Sequence, residues 1–121
     1  MSRKLSLLIF AIVTILSAGA SRLEKQGTAT RLIVDDKPFV IIGGELGNSA
    51  ATCTGDIARN FKKLHDMGLN TVLVPAYWDL IEPEKGKFDF SLIDTVISDA
   101  RSNDLKVVFL WFGAWKNSMS C

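Results

Sequence analysis

The 121-residue chain predicts an α/β fold, specifically the N-terminal portion of a (β/α)8 barrel: a β-hairpin followed by about three βα units. Three observations carry this expectation. Apolar runs at residues 39–42, 71–76 and 106–112 alternate with two segments of helical periodicity, and strands that alternate with helices build a parallel sheet. The starts of these runs are spaced by roughly one βα unit, and right-handed crossovers make such strands parallel neighbours. All three runs end in polar and aromatic residues: Gly43-Gly44-Glu45, Tyr77-Trp78-Asp79, and Trp111-Phe112-Gly113-Ala114-Trp115-Lys116-Asn117. Parallel strands place those ends on one side, which in a barrel is the face that carries the site.

The elements follow in chain order. Residues 1–20 have the make-up of a signal peptide. Arg3 and Lys4 give a basic start, an apolar run follows, and Ala18-Gly19-Ala20 supplies small residues for cleavage after Ala20. The run is too short for a confident membrane span, which takes about 20 apolar residues, so export without a stable membrane anchor is expected. Residues 21–30 are polar and aperiodic and are assigned as a leader. Leu32-Ile33-Val34 and residues 39–42 form the two arms of a hairpin around Asp35-Asp36-Lys37-Pro38.

A first helix opens at Cys53-Thr54-Gly55-Asp56, with Thr54 as its cap and Asp56 favouring the positive helix end. Ile57, Phe61 and Leu64 give it one buried stripe, and Gly68 stops it. Residues 71–76 are rich in Val and Leu without alternation, the pattern of a parallel strand covered on both faces. A second helix starts after Phe90, with Ser91 as N-cap and Asp94 completing a capping box. Its apolar face is Leu92, Ile93, Val96, Ile97 and Ala100, and Asn103-Asp104 ends it before a third buried strand at residues 106–112.

Three strands cannot close a barrel that takes about 250 residues. Residues 31–121 are therefore expected to be the truncated first part of a larger domain. A complete three-stranded domain would leave buried-type strands exposed at both edges.

Composition removes several function classes. The formal net charge is +1, and removing a leader that holds Arg3 and Lys4 turns the remainder slightly acidic. That is no footprint for nucleic acid. Charges of both signs at residues 56–66 and 82–89 are solvated surface. The two cysteines, Cys53 and Cys121, make neither a disulfide framework nor a metal motif. Cys53 is expected as a small, partly buried residue. The Gly43-Gly44-Glu45 segment lacks the G-x-G-x-x-G spacing and any Gly-Lys-Ser/Thr, which argues against a phosphate loop. His65 sits beside the apolar stripe of the first helix, away from the strand ends, and is expected to be a structural or surface residue.

Chemistry gathers at the strand ends. Tyr77 and Trp78 offer flat rings for the C–H face of a sugar, and Glu45, Asp79 and Glu82 offer acceptors for hydroxyls. Trp115, Lys116 and Asn117 repeat that combination after the third strand. The structural alternative is that Tyr77 and Trp78 are core aromatics, since Trp is usually largely buried. The loop from Glu82 to Phe90 is expected to turn at Pro83 and Gly86, with Phe88 and Phe90 packed beneath it. Asp79 and Glu82 are close in sequence, but a retaining pair needs carboxyls about 5–5.5 Å apart across the scissile bond, so no carboxylate here is assigned as catalytic.

These motifs resemble a known family. Glu45 after Gly44, Lys62 with Gly68-Leu69-Asn70-Thr71, Trp78 with Glu82-Pro83, and Gly86-Lys87-Phe88-Asp89-Phe90 are similar to the N-terminal part of family 35 glycoside hydrolases, the β-galactosidase type. Family 42 shares much of the pattern. The likeness runs from about Arg31 to the C-terminus. The sequence departs from the common eukaryotic form: Pro75 stands where a tyrosine is usual, Asp79 and Ile81 replace an asparagine and a histidine, and the third strand runs into Phe112-Gly113-Ala114. It looks like a bacterial branch.

The resemblance implies a retaining hydrolase of terminal galactosides on a (β/α)8 barrel. The acid/base and nucleophile glutamates would stand at the ends of the fourth and seventh strands, beyond Cys121, so the isolated chain is expected to be inactive. It implies no metal or organic cofactor, and a carbohydrate as partner. Substrate-binding candidates within the chain are Glu45, Tyr77, Trp78, Asp79, Trp115, Lys116 and Asn117. The alternatives are a non-catalytic carbohydrate-binding module and a truncated remnant without function.

Overall fold

A computed structural model describes residues 21–114 of the chain. The chain divides between Val40 and Ile41 into two compact units. The expected signal peptide with its cleavage after Ala20, and the candidates Trp115, Lys116 and Asn117, lie outside the described residues. Among those described, no helix is long and apolar enough to cross a membrane.

The first unit is an antiparallel sheet of β1 (Arg22–Gln26), β2 (Ala29–Val34) and β3 (Lys37–Pro38), in that order. Gln26 pairs with Ala29 and Val34 with Lys37, so each connection is a two-residue turn. Asp35 and Asp36 occupy the second turn with φ of 50° and 60°. Positive φ at both central residues is the requirement of the hairpin turn that matches strand twist, and aspartate tolerates it better than most residues. The hairpin expectation holds at this turn.

Two boundaries are corrected. Residues 21–30 are no leader, because β1 and the start of β2 lie there. All five residues of β1 are exposed, so no alternation of apolar and polar residues marked it, and pairing with β2 makes it a strand. The second hairpin arm is Lys37–Pro38 and not residues 39–42. The Phe39 N–H still donates to the Leu32 carbonyl at 2.8 Å. Pro38 contributes no donor to the ladder, and the run of residues 40–42 belongs to no strand.

The second unit is a parallel sheet of β4 (Gly43–Glu45), β5 (Thr71–Tyr77) and β6 (Lys106–Phe112), with β5 in the middle. α1 (Thr54–Asp66) connects β4 to β5. A four-residue α2 (Trp78–Ile81) and α3 (Ser91–Ser102) connect β5 to β6. The order β-α-β-α-β with parallel neighbours is the α/β arrangement that the hydrophobic runs predicted. β5 is buried along nearly its whole length, as a strand covered on both faces must be. Ile57 and Phe61 of α1 are 0% exposed and cluster with Val72, Val74, Val96, Ala100 and Leu105, with Leu64 and Leu92 packed against them.

Asn70 ties the strand starts together. Its Oδ1 accepts the Ile42 N–H at 2.9 Å, and its own N–H donates to the Ile42 carbonyl at 2.9 Å. The Asn70 carbonyl accepts the Lys106 N–H, also at 2.9 Å. One residue thus links the approaches to β4, β5 and β6. Gly68, at φ +80°, supplies the left-handed turn between α1 and this junction.

The helix starts differ from expectation. Cys53 is the α1 N-cap and Thr54 the first helical residue, with no side-chain cap. Asp56 does stand in the first turn, and it pairs with Arg59. Cys53 is partly buried, as expected, and it is disulfide-bonded; the other cysteine, Cys121, lies outside the described residues. In α3 the N-cap is Phe90. Asp89 Oδ1 accepts the Ser91 N–H at 2.8 Å, so Asp89, not Ser91 with Asp94, satisfies an end donor of the helix. Asp104, at φ 54°, turns the chain into β6 as its sequence suggested.

The expected burial of β6 is also corrected. It pairs with β5 over its full length, but Val108, Phe109 and Trp111 are exposed. Among the described residues β5 is its single strand neighbour, so one side of an apolar strand has nothing against it.

Candidate functional site

The parallel sheet sets where each candidate stands. Tyr77 pairs with Phe112, and Ala76 with Trp111. Glu45 pairs with Leu73, four residues short of Tyr77 on the same strand, which is about 13 Å at the rise of a β-strand. Glu45 therefore stands below the level of the other strand ends. Its side chain is exposed. The chain beyond it makes one more ladder bond, Leu46 N–H to Leu73 carbonyl at 3.0 Å, and then runs to Ala51 near Tyr77.

Tyr77 and Trp78 do not form one flat surface. Tyr77 is 1% exposed and meets Phe112 edge-on, with ring centroids 5.9 Å apart. Burial pushes its phenol up from the ordinary value, the Ala51 backbone opposes this through a hydrogen bond, and Asp79 adds to the rise. Its ring is used in packing. Trp78 starts α2 and is half-buried. Its ring lies 5.4 Å from that of Trp111 and 5.9 Å from that of Phe88. Successive strand residues point to opposite faces, so Trp111 is on the face away from Phe112, and Trp78 sits on the Trp111 side. Asp79 is exposed in α2.

The loop between α2 and α3 completes an aromatic cluster. Phe88 and Phe90 stack nearly parallel, 6.2 Å apart at 10°. They are 56% and 53% exposed, so they lie on the surface and not beneath the loop. Trp111, 60% exposed, belongs to the functional-looking end of the third strand but is not among the substrate-binding candidates, because it also stands inside a run read as buried. A Cβ at Gly113 would come within 2.5 Å of Trp111 Nε1, so this glycine is needed where the indole folds back over the backbone. Four aromatic rings, Trp78, Phe88, Phe90 and Trp111, thus form one continuous surface cluster beside the end of β5.

Glu82 is engaged within its own loop. Its Oε1 accepts the Gly86 N–H at 2.6 Å, and Gly86 has φ +79°. Among the described residues no group of three or more His, Cys, Asp or Glu could hold a metal. His65 is exposed on α1, a surface position as expected. The rings offer stacking area and the exposed carboxylates offer acceptors, a combination suited to a neutral polyhydroxylated ligand.

Comparison with known proteins now decides the family. The model of glycosyl hydrolases family 35 matches residues 31–113. This chain belongs to family 35. It is 29% identical over 108 residues to a beta-galactosidase of Xanthomonas manihotis, an alignment that covers 84% of this chain and 18% of the relative. The chain thus spans less than a fifth of the length of that curated relative. The family 35 match begins inside β2 and ends at Gly113, so it takes in the whole parallel sheet, the Asn70 junction and the aromatic cluster.

Proposed function

We propose that this chain is the first part of the catalytic (β/α)8 barrel of an exported β-galactosidase-like glycoside hydrolase, which releases terminal galactose from oligo- or polysaccharides with retention. The observation that carries the proposal is the family 35 match across a parallel β-α-β-α-β sheet with an exposed aromatic cluster beside the end of β5. Trp78, Asp79 and Glu45 are the described residues offered to the sugar, with Trp115, Lys116 and Asn117 following β6 in the sequence. Tyr77 supports them from the core.

Retention needs two carboxyl groups about 5–5.5 Å apart, one acting as acid then base and the other as nucleophile. Two of the described carboxylates are engaged close to their own place in the chain. Glu82 is held by Gly86, and Asp89 by Ser91. The pair is assigned, as the family resemblance implies, to later strands of the full-length protein. Export through a signal peptide cut after Ala20 belongs to the same proposal.

The test is turnover of an aryl β-galactoside by the purified 121-residue chain and by the protein extended to the length of its relative. The expected result is no turnover by the chain and turnover with retained anomeric configuration by the extended protein. Turnover by the chain alone, abolished by Glu82→Gln, would overturn the placement of the catalytic pair. A second reading, a non-catalytic carbohydrate-binding surface, is favoured by the exposed Trp78, Phe88, Phe90 and Trp111 cluster. It predicts sugar binding without turnover in both proteins.

A further inference from the structure

We propose that Glu82 is a positioning residue that fixes the Trp78 ring by clamping the loop that follows α2; its role toward sugar rests on the reading of Trp78 given above. Residues 82–90 contain no helix or strand beyond an isolated bridge between Glu84 and Lys87, yet they are closely tied. Glu82 Oε1 accepts the Gly86 N–H at 2.6 Å, and a bond from a backbone N–H to an ionised carboxylate is about twice as strong as a neutral one. The Lys87 N–H donates to the Glu84 carbonyl at 2.8 Å, and their side chains form an ion pair. The Asp89 N–H returns to the Ile81 carbonyl at 2.8 Å. Those bonds close the loop onto the end of α2 and deliver Phe88 edge-on to Trp78 at 5.9 Å.

The indole of Trp78 is thereby held between Phe88 and Trp111. A ring held in place binds a partner without losing rotamer freedom at that moment, which is where preorganisation gains affinity. Glu82 does this through Gly86, whose φ of +79° is a conformation only glycine adopts at low cost. A carboxylate whose oxygen is committed to the loop sets where the aromatic surface stands and need not touch the sugar itself.

The experiment uses the full 121-residue chain labelled with ¹⁵N. The indole N–H signals of its three tryptophans are assigned with Trp78→Phe and then followed in Glu82→Ala and Glu82→Gln, alone and during titration with methyl β-galactoside. The expected result is a displaced or broadened Trp78 signal and about tenfold weaker galactoside binding in Glu82→Ala, with both restored in Glu82→Gln, which keeps the acceptor oxygen. A Trp78 signal at its wild-type position in Glu82→Ala, with the Gly86 amide signal moved, would overturn the proposal. If wild type ignores the galactoside but Glu82→Ala still displaces the Trp78 signal, the clamp stands and the sugar reading falls. Should Glu82→Ala not fold, Gly86→Ala decides. It has open space around its Cβ and strains the same turn, so it is expected to displace the Trp78 signal; an unmoved signal there sinks the clamp.

Discussion

Asn70 illustrates how one side chain organises this unit. Its carboxamide oxygen accepts the Ile42 N–H and the Thr71 hydroxyl, both at 2.9 Å, while its backbone bonds to Ile42 and Lys106. Asn70→Ala removes the first two and leaves the backbone bonds in place. The expected cost is about 1–2 kcal/mol, read as a lower urea midpoint at unchanged slope. Asn70→Asp keeps an acceptor and should recover most of the loss. Equal destabilisation by both variants would mean that the oxygen is not what holds β4. The Gly68-Leu69-Asn70-Thr71 motif, which the sequence offered as a family signature, thus has a mechanical reason. Tyr77 is the counterexample: nothing in the sequence separated a ring facing a ligand from a ring packed on Phe112, because both occur at strand ends.

At the scale of elements, α3 depends on Asp89. The Ser91 hydroxyl, and then the Ser91 backbone N–H, hold its carboxyl below the usual carboxylate range. A carboxylate depressed in the folded state contributes stability that is present above its unfolded pKa, about 3.9. That contribution is lost as pH falls through the lower folded value. The urea midpoint of the wild-type chain should therefore decline from about pH 4 downward, and the decline should be shallower in Asp89→Asn, which carries no titrating group. Identical pH profiles would remove Asp89 from the account of acid lability. The periodicity of α1 and α3 was plain in Ile57, Phe61, Val96 and Ala100. Their caps were off by one residue because Thr54 and Ser91 fit the preference for capping residues, while the backbone turns into helix at Cys53 and Phe90.

For the whole molecule, the consequential feature is β6. Its apolar residues Val108, Phe109 and Trp111 are exposed, and among the described strands it pairs with β5 alone. Long apolar edges without charge template further pairing. The isolated chain should therefore associate with rising concentration, and Val108→Lys should lower that association in sedimentation velocity by placing a charge on the exposed edge strand. A chain that stays monomeric at all concentrations would show that this edge is protected. The sequence identified the strand and its apolar content but called it buried, because composition does not say whether a neighbour is present to cover it.

The sequence by itself determined the alternation of parallel strands and helices, the stripe of α1, the face of α3, the turn at Asp35-Asp36 and the family. Each of these is written in local spacing: a period of 3.6, an unbroken apolar run, a pair of turn residues, a motif such as Trp78 with Glu82-Pro83. Tertiary structure alone decided that Glu45 stands four residues below Tyr77, that Tyr77 is packed while Trp78 joins Trp111 and Phe88, and that Glu82 is committed to Gly86. Those facts depend on strand register and on contacts between residues distant along the chain. Sequence spacing does not encode them, because register is fixed only when the faces of several elements are packed together.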